Sequence, residues 1–209
     1  MLYLVSPSNP RLRDMIKNGT FGAITTPATS YRLDGLPTWA ADNACGPSEH
    51  GNGINYPGDH KWAHWLERMS PHASRCLFAV IPDVVGNADS TLHRFDQLSH
   101  IARDLGYPIA LAAQNGIEYM PIPWDDFDVL FLGGDDQFKL GLPAADITRQ
   151  AIARGKRVHA GRVNGGARFA YMRALGCHTA DGKCINIAPD KNIPRHTRWQ
   201  AHPVQETLL

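Results

Sequence analysis

Val158–Asp181, VHAGRVNGGARFAYMRALGCHTAD, decides how the chain is read. It holds a short apolar strand, a Gly-rich turn, an amphipathic helix, a second strand and then an acid. The helix reads as Ala167–Leu175, with Gly176 as its stop. An acid just past a strand end is where enzymes built from repeated strand–helix units keep their chemistry. Asp181 is therefore the first candidate catalytic carboxylate.

The same alternation extends outward. Leu2–Val5, Gly22–Thr25, Leu77–Ile81, Ile109–Ala113, Val129–Leu132, Val158–Ala160 and Cys177–Ala180 read as seven strands. Helical spacing of apolar residues places helices at Arg11–Asn18, His60–Arg68, Ala88–Leu105 and Ala144–Ala153. Strands joined by helices imply a parallel sheet with right-handed crossovers. The expected fold is α/β, a compact or irregular (β/α) TIM-like barrel, since such barrels typically need ~250 residues and the chain has 209. A doubly wound open sheet is the alternative. Residues 1–187 form one barrel-like catalytic domain with an inserted loop region, residues 30–70. Residues 188–209 read as a basic C-terminal tail with little core material.

Composition narrows the class. The hydrophobic fraction of 43% is that of a globular protein. No apolar run reaches the ~20 residues that cross a bilayer, and Met1–Pro10 lacks signal-peptide features. A soluble cytoplasmic protein is expected, with no membrane partner. Cys45, Cys76, Cys177 and Cys184 form no C-x-x-C pair, so free thiols are expected. The net charge is +1, but Arg149–Arg198 holds eleven Lys/Arg against two acids. Such a basic end suits a phosphate backbone.

The strand ends carry polar groups that a closed barrel would gather into one pocket. They are Asp42 and Asn43, Asp83, Gln114-Asn115-Gly116, Gly133-Gly134-Asp135, Arg162 with Asn164, and Asp181. A carboxylate and an amide can read a purine edge, and glycine lets backbone approach the ring.

In this order the motifs resemble the queuine/archaeosine tRNA-guanine transglycosylase superfamily, and more narrowly the phage-type DNA 7-deazaguanine transglycosylases. Asp42, in Ala41-Asp42-Asn43-Ala44-Cys45-Gly46, sits where the family has an Asp-Ser-Gly motif with a general acid/base. Asp83, in Pro82-Asp83-Val84-Val85, resembles the aspartate that holds the purine. Gln114, in Ala113-Gln114-Asn115-Gly116, resembles the base-contacting glutamine. Gly133-Gly134 resembles the diglycine that meets the base. Gly176-Cys177-His178-Thr179-Ala180-Asp181 resembles G-x-D-x-F-D, whose last aspartate is the nucleophile. The similarity runs over roughly residues 20–185.

The resemblance implies an enzyme that exchanges guanine in DNA for a 7-deazaguanine derivative (preQ0-like) through a covalent sugar–aspartate intermediate. Asp181 would be the nucleophile, Asp42 the general acid/base, and Asp83, Gln114, Gly133 and Gly134 the base-binding set. Arg162, Asn164, Arg168 and Arg173 would hold DNA. Only Cys184 stands where the tRNA enzymes carry a C-x-C-x-x-C…H zinc site, so the zinc subdomain is expected to be missing. Ala180 replaces the aromatic before the nucleophile, and no anticodon grip is recognisable; both favour DNA over tRNA. No metal or resident cofactor is implied beyond the 7-deazaguanine co-substrate. The location implied is the cytoplasm, the host's if phage-encoded. Oligomeric state is open, a homodimer among the options. The competing readings are a hydrolytic DNA glycosylase, a nucleoside deoxyribosyltransferase, a metal-dependent hydrolase using His60 and His64, and a non-catalytic nucleic-acid-binding protein.

Overall fold

A computed structural model describes residues 1–46 and 55–201. Eight parallel strands close into a barrel in sequence order. They are β1 (Leu2–Val5), β2 (Gly22–Thr25), β3 (Trp39–Ala41), β4 (Cys76–Val80), β5 (Ile109–Ala113), β6 (Val129–Leu132), β7 (Arg157–Ala160) and β8 (Thr179–Asp181). β8 returns to β1, pairing Leu4 with Asp181. The helices are α1 (Pro10–Lys17), α2 (Asp59–Met69), α3 (Ala88–Asp104), α4 (Asp136–Lys139), α5 (Leu142–Ala153), α6 (Gly166–Ala174), α7 (Cys184–Ile187) and α8 (Pro189–Ala201). The α/β barrel expected from the sequence is thus the fold.

The barrel closes within 209 residues because two crossovers are reduced. Residues 26–38 connect β2 to β3 without a helix, and two single 3-10 turns, Ile117–Tyr119 and Trp124–Asp126, connect β5 to β6. Alternation along each strand sorts the side chains into two cores. Leu4, Ile24, Ala40, Phe78, Val80, Ala110, Ala112 and Val129 pack together as one cluster inside the barrel. Tyr3, Val5, Trp39, Ala79, Leu111, Leu130, Val158 and Ala180 belong to the larger cluster beneath the helices. Strands buried on both faces read as continuous apolar runs, as IALAA does in β5.

Three elements depart from the sequence reading. β3 lies inside the expected loop region. It pairs with β2 through Ala23–Trp39, Ile24–Ala40 and Thr25–Ala41, and with β4 on its other side. The last strand also starts two residues later than expected, at Thr179. The supposed tail differs too: Pro189–Ala201 is a helix that docks on the body. Ile193 and His196 are buried there. The His196 ring lies 4.7 Å from Tyr3, 5.2 Å from Phe21 and 5.1 Å from Phe169, centroid to centroid.

That docking makes the fold acid-sensitive. Burial pushes the His196 pKa down to about 4, and its Nε2 has no hydrogen-bond partner among the described residues. Between the ordinary histidine value and about 4, the unfolded chain binds a proton that the folded chain does not. Stability is therefore complete above about 6.5 and declines as pH falls toward 4, by about 3 kcal/mol for this one group. Urea denaturation at pH 7 and pH 5 should show this loss in the wild type. The His196→Phe variant should lose less.

Candidate active site

Polar side chains gather at the C-terminal ends of the strands, where barrel enzymes work. Asp42 follows β3 and Asp181 ends β8. The two are close enough that the charge of Asp181 raises the pKa of Asp42. Burial is the larger cause. Asp83 adds to the rise, while the Ala44 N–H and Lys183 oppose it, leaving Asp42 at about 7. The carboxylate is held by an Asx turn, Ala44 N–H donating to its Oδ1 at 2.7 Å. Ala44 itself has φ +65°, a left-handed conformation costly outside glycine.

Asp181 sits in a different setting. His159 Nε2 lies 3.0 Å from its Oδ1, and the Arg162 backbone N–H donates to the same oxygen at 3.3 Å. His159 is 0% exposed, its ring between Phe78 and Phe131 with centroids 4.9 and 4.6 Å away. Its Nδ1 meets the Thr179 hydroxyl at 2.8 Å. His159 and Thr179 are register partners in adjacent strands, so the pairing of β7 with β8 builds this chain of contacts. With Nε2–H donating to the carboxylate, Nδ1 in the neutral ring accepts from Thr179. The side chain of Asp181 is thereby fixed from below while part of it faces the mouth.

The other strand ends are tied into a belt. Asn43 Nδ2 donates to Asp83 Oδ1 at 2.7 Å and to the Ile81 carbonyl at 3.0 Å. Gln114 Nε2 donates to Asp83 Oδ2 at 2.6 Å. Gln114 Oε1 accepts from the N–H groups of Gly86 and Gly134, both at 2.8 Å. The Arg162 guanidinium donates to the Gly134 carbonyl. The loops after β3, β4, β6 and β7 are thus cross-linked through β5. Asp83 is 5% exposed. Burial raises its pKa, and the donors Asn43, Cys45 and Gln114 oppose the rise. The diglycine has a packing reason as well. A Cβ on Gly133 would overlap the Gln114 amide nitrogen, and one on Gly134 would strike the Phe138 ring.

The four residues expected to hold DNA fare differently. Arg162 stands at the rim beside Asp181. Arg168 is engaged by Asp136 in a two-pronged pair at 3.0 and 2.8 Å. Asn164 Oδ1 accepts from the N–H groups of Lys183 and Cys184 at 2.8 and 3.1 Å, bracing the loop after β8. Arg173 points toward α8, donating to the Gln200 carbonyl at 2.8 Å. Elsewhere, a surface groove of about 400 Å³ beside α2 is lined by Pro27, Pro57, His60, Lys61, His64 and Arg68, among others, and contains none of the strand-end acids. His64 faces Glu67 at 3.5 Å. Among the described residues no group of three or more His, Cys, Asp or Glu could hold a metal ion, and no helix is long and apolar enough to cross a membrane.

Asn43 stands in the sequence at the strand end beside Asp42, with no role assigned to it there; the sequence offers no signal for Lys139 or Thr179, and His159 is a candidate that a buried strand position equally explains. Thr179 and His159 show only once the register of β7 and β8 is known.

No protein-family model matches the chain, and no curated protein matches it. Among solved structures it is similar to the EAL enzyme Bd1971 in its cAMP- and cyclic-di-GMP-bound form, at 17% identity and a TM-score of 0.37, over 70% of this chain and 39% of that one. The chain therefore spans well under half the length of that protein. It is also similar to the BexX/CysO complex of Amycolatopsis orientalis, at 11% identity and a TM-score of 0.36, over 100% of this chain and 84% of that one. Neither is described as a transglycosylase.

Proposed function

We propose that this protein is a glycosyl-transfer enzyme that exchanges guanine in DNA for a 7-deazaguanine base. The observation that carries the reading is the contrast between its two strand-end carboxylates. Asp42 is raised to about 7 by burial and by the charge of Asp181. Asp181 accepts hydrogen bonds from His159 and from the Arg162 N–H, with part of its side chain open to the mouth. A carboxyl group that keeps its proton beside a second one held by hydrogen bonds at the mouth can divide the acid and nucleophile roles known from glycoside chemistry.

In the first half-reaction an Asp181 oxygen attacks C1′ of the sugar. The C1′–N9 bond breaks, its electron pair leaves with guanine, and Asp42 gives the departing base a proton. In the second, N9 of the incoming 7-deazaguanine attacks C1′ and the ester C–O bond breaks, restoring the Asp181 carboxylate. The N9 proton passes to Asp42, which regains its starting state. Asp83 and Gln114, already fixed by the belt, offer their remaining lone pairs and N–H to the base. The base must leave the stack to reach them, at a cost of roughly a few kcal/mol.

Phosphate contacts fall to Arg162 and to Lys61 and Arg68 in the α2 groove, whose charges no carboxylate among the described residues pairs. Arg168 already has its carboxylate.

The test is mass spectrometry of nucleosides from DNA incubated with the protein and candidate 7-deazaguanines. Release of guanine matched by a deazaguanine nucleoside is the expected result. Abasic sites with no incorporation would make the protein a hydrolytic glycosylase instead, and exchange confined to free nucleosides would make it a deoxyribosyltransferase. Salt-sensitive DNA binding with neither product would reduce it to a binding protein.

A further inference from the structure

Lys139 ends the short helix α4 and is 0% exposed. Its Nζ donates to the Gly161 carbonyl at 2.7 Å, its one hydrogen bond among the described residues. A buried ammonium held by a single neutral acceptor is poorly compensated. Burial pushes its pKa down to about 8; Arg162 and Arg168 add to the fall, while Asp181 and Asp136 oppose it. Such a group beside a candidate site needs a reason to be there.

The reason lies in one peptide unit. The carbonyl that Lys139 grips and the Arg162 N–H that donates to Asp181 belong to the same peptide, Gly161–Arg162. Arg162 has φ +59°, a strained conformation for a residue with a side chain. Turning this peptide over would carry that φ into the ordinary negative region and relieve the strain. It would also aim the carbonyl, not the N–H, at Asp181. The strain therefore favours the wrong orientation, and something must hold the right one. A Cβ at position 161 would strike the Phe131 ring, so only glycine lets this backbone pass so close beneath the mouth.

We propose that Lys139 is a positioning residue that locks the Gly161–Arg162 peptide with its N–H facing the Asp181 carboxylate. The lock also strengthens the donor, because a charge on the carbonyl end polarises the N–H at the other. The inference rests on the reading of Asp181 as the working carboxylate only for its functional consequence; the lock itself is a property of the folded chain.

NMR of the full-length protein tests it without substrate. In the wild type, the Gly161 carbonyl carbon and the Arg162 amide proton should shift together as pH rises, with a midpoint near 8. In Lys139→Met the step should be absent, and both signals should be displaced from their low-pH wild-type positions. An Arg162 amide that shows no such step in the wild type overturns the proposal, and this measurement needs no variant to fold. So does an Arg162 amide unmoved in a folded Lys139→Met protein. Where exchange can be assayed, Lys139→Met should lower kcat by roughly 10² with KM unchanged, the cost of a misaimed reacting group. Coupled steps in a protein that exchanges no base would leave the lock standing while the function proposed above falls.

Discussion

Asp181→Ala should fold, should lose base exchange by ~10⁴-fold or more, and should trap no covalent ester with DNA. The reasoning starts from what the carboxylate does in the resting fold. It accepts from His159 Nε2 and from the Arg162 N–H, and part of its side chain faces solvent. Truncation leaves the buried His159 N–H without its partner, at a cost of about 1–3 kcal/mol. The barrel should tolerate this, because Thr179 and the flanking Phe78 and Phe131 still hold the ring. Chemistry has no such reserve. Without a carboxylate below C1′ there is no covalent intermediate to divide the displacement into two steps. Asp181→Asn separates the two effects. The amide keeps an oxygen for His159 and Arg162 but is a far weaker nucleophile. It should therefore restore stability to near the wild-type value and leave exchange as low as in the alanine variant. An asparagine variant that retains a tenth or more of wild-type exchange would remove Asp181 from the nucleophile role.

The barrel was legible in the sequence because its strands are apolar on both faces and bounded by turn residues. IALAA between Pro108 and Gln114 admits little else. β3 was not, since WAA is three residues long in a stretch rich in glycine and proline, and its strand character comes from pairing on both sides with β2 and β4. α8 was hidden by its composition. Polar residues dominate it, and only Ile193 and His196 are buried, so its burial stripe is too sparse to stand out from a solvated tail. Among the site residues, Asp42, Asp83, Gln114, Gly134 and Asp181 could be picked out because each follows a strand. Their connections could not. Gln114 bonds groups from two other loops, and Lys139 meets a carbonyl supplied by a separate strand and loop. Nothing local to DDQFKLGL marks its lysine as buried. The residues assigned to DNA show the same limit from the other side. Arg168, Asn164 and Arg173 lie in a basic stretch, but charge counts along a chain do not reveal which charges already have partners.

Asp42 offers a test in which one substitution should raise stability at neutral pH and lower activity. Its folded pKa of about 7 lies above the ordinary carboxylate value. Between about 4 and 7 the folded chain keeps a proton that the unfolded chain has released. Wild-type stability should therefore fall as pH rises through that window, with the full penalty present above 7. Asp42→Asn has no charge to bury, and its amide oxygen can still accept from Ala44 N–H. At pH 8 it should be more stable than the wild type by on the order of 2–3 kcal/mol, a difference that should vanish below pH 4. Urea denaturation at the two pH values measures it. The same variant should be unable to protonate the departing guanine, and exchange should drop by ~10²–10⁴-fold. Wild-type exchange should in turn decline above pH 7, as the proton needed for the first half-reaction is lost. Because Asp181 is the charge that contributes most to raising Asp42, after burial, Asp181→Asn should lower the Asp42 pKa and shift the stability window downward. A stability difference between Asp42→Asn and wild type that stays flat from pH 4 to 8 would mean that Asp42 is not held protonated. The acid role would then have to pass to another group at the mouth.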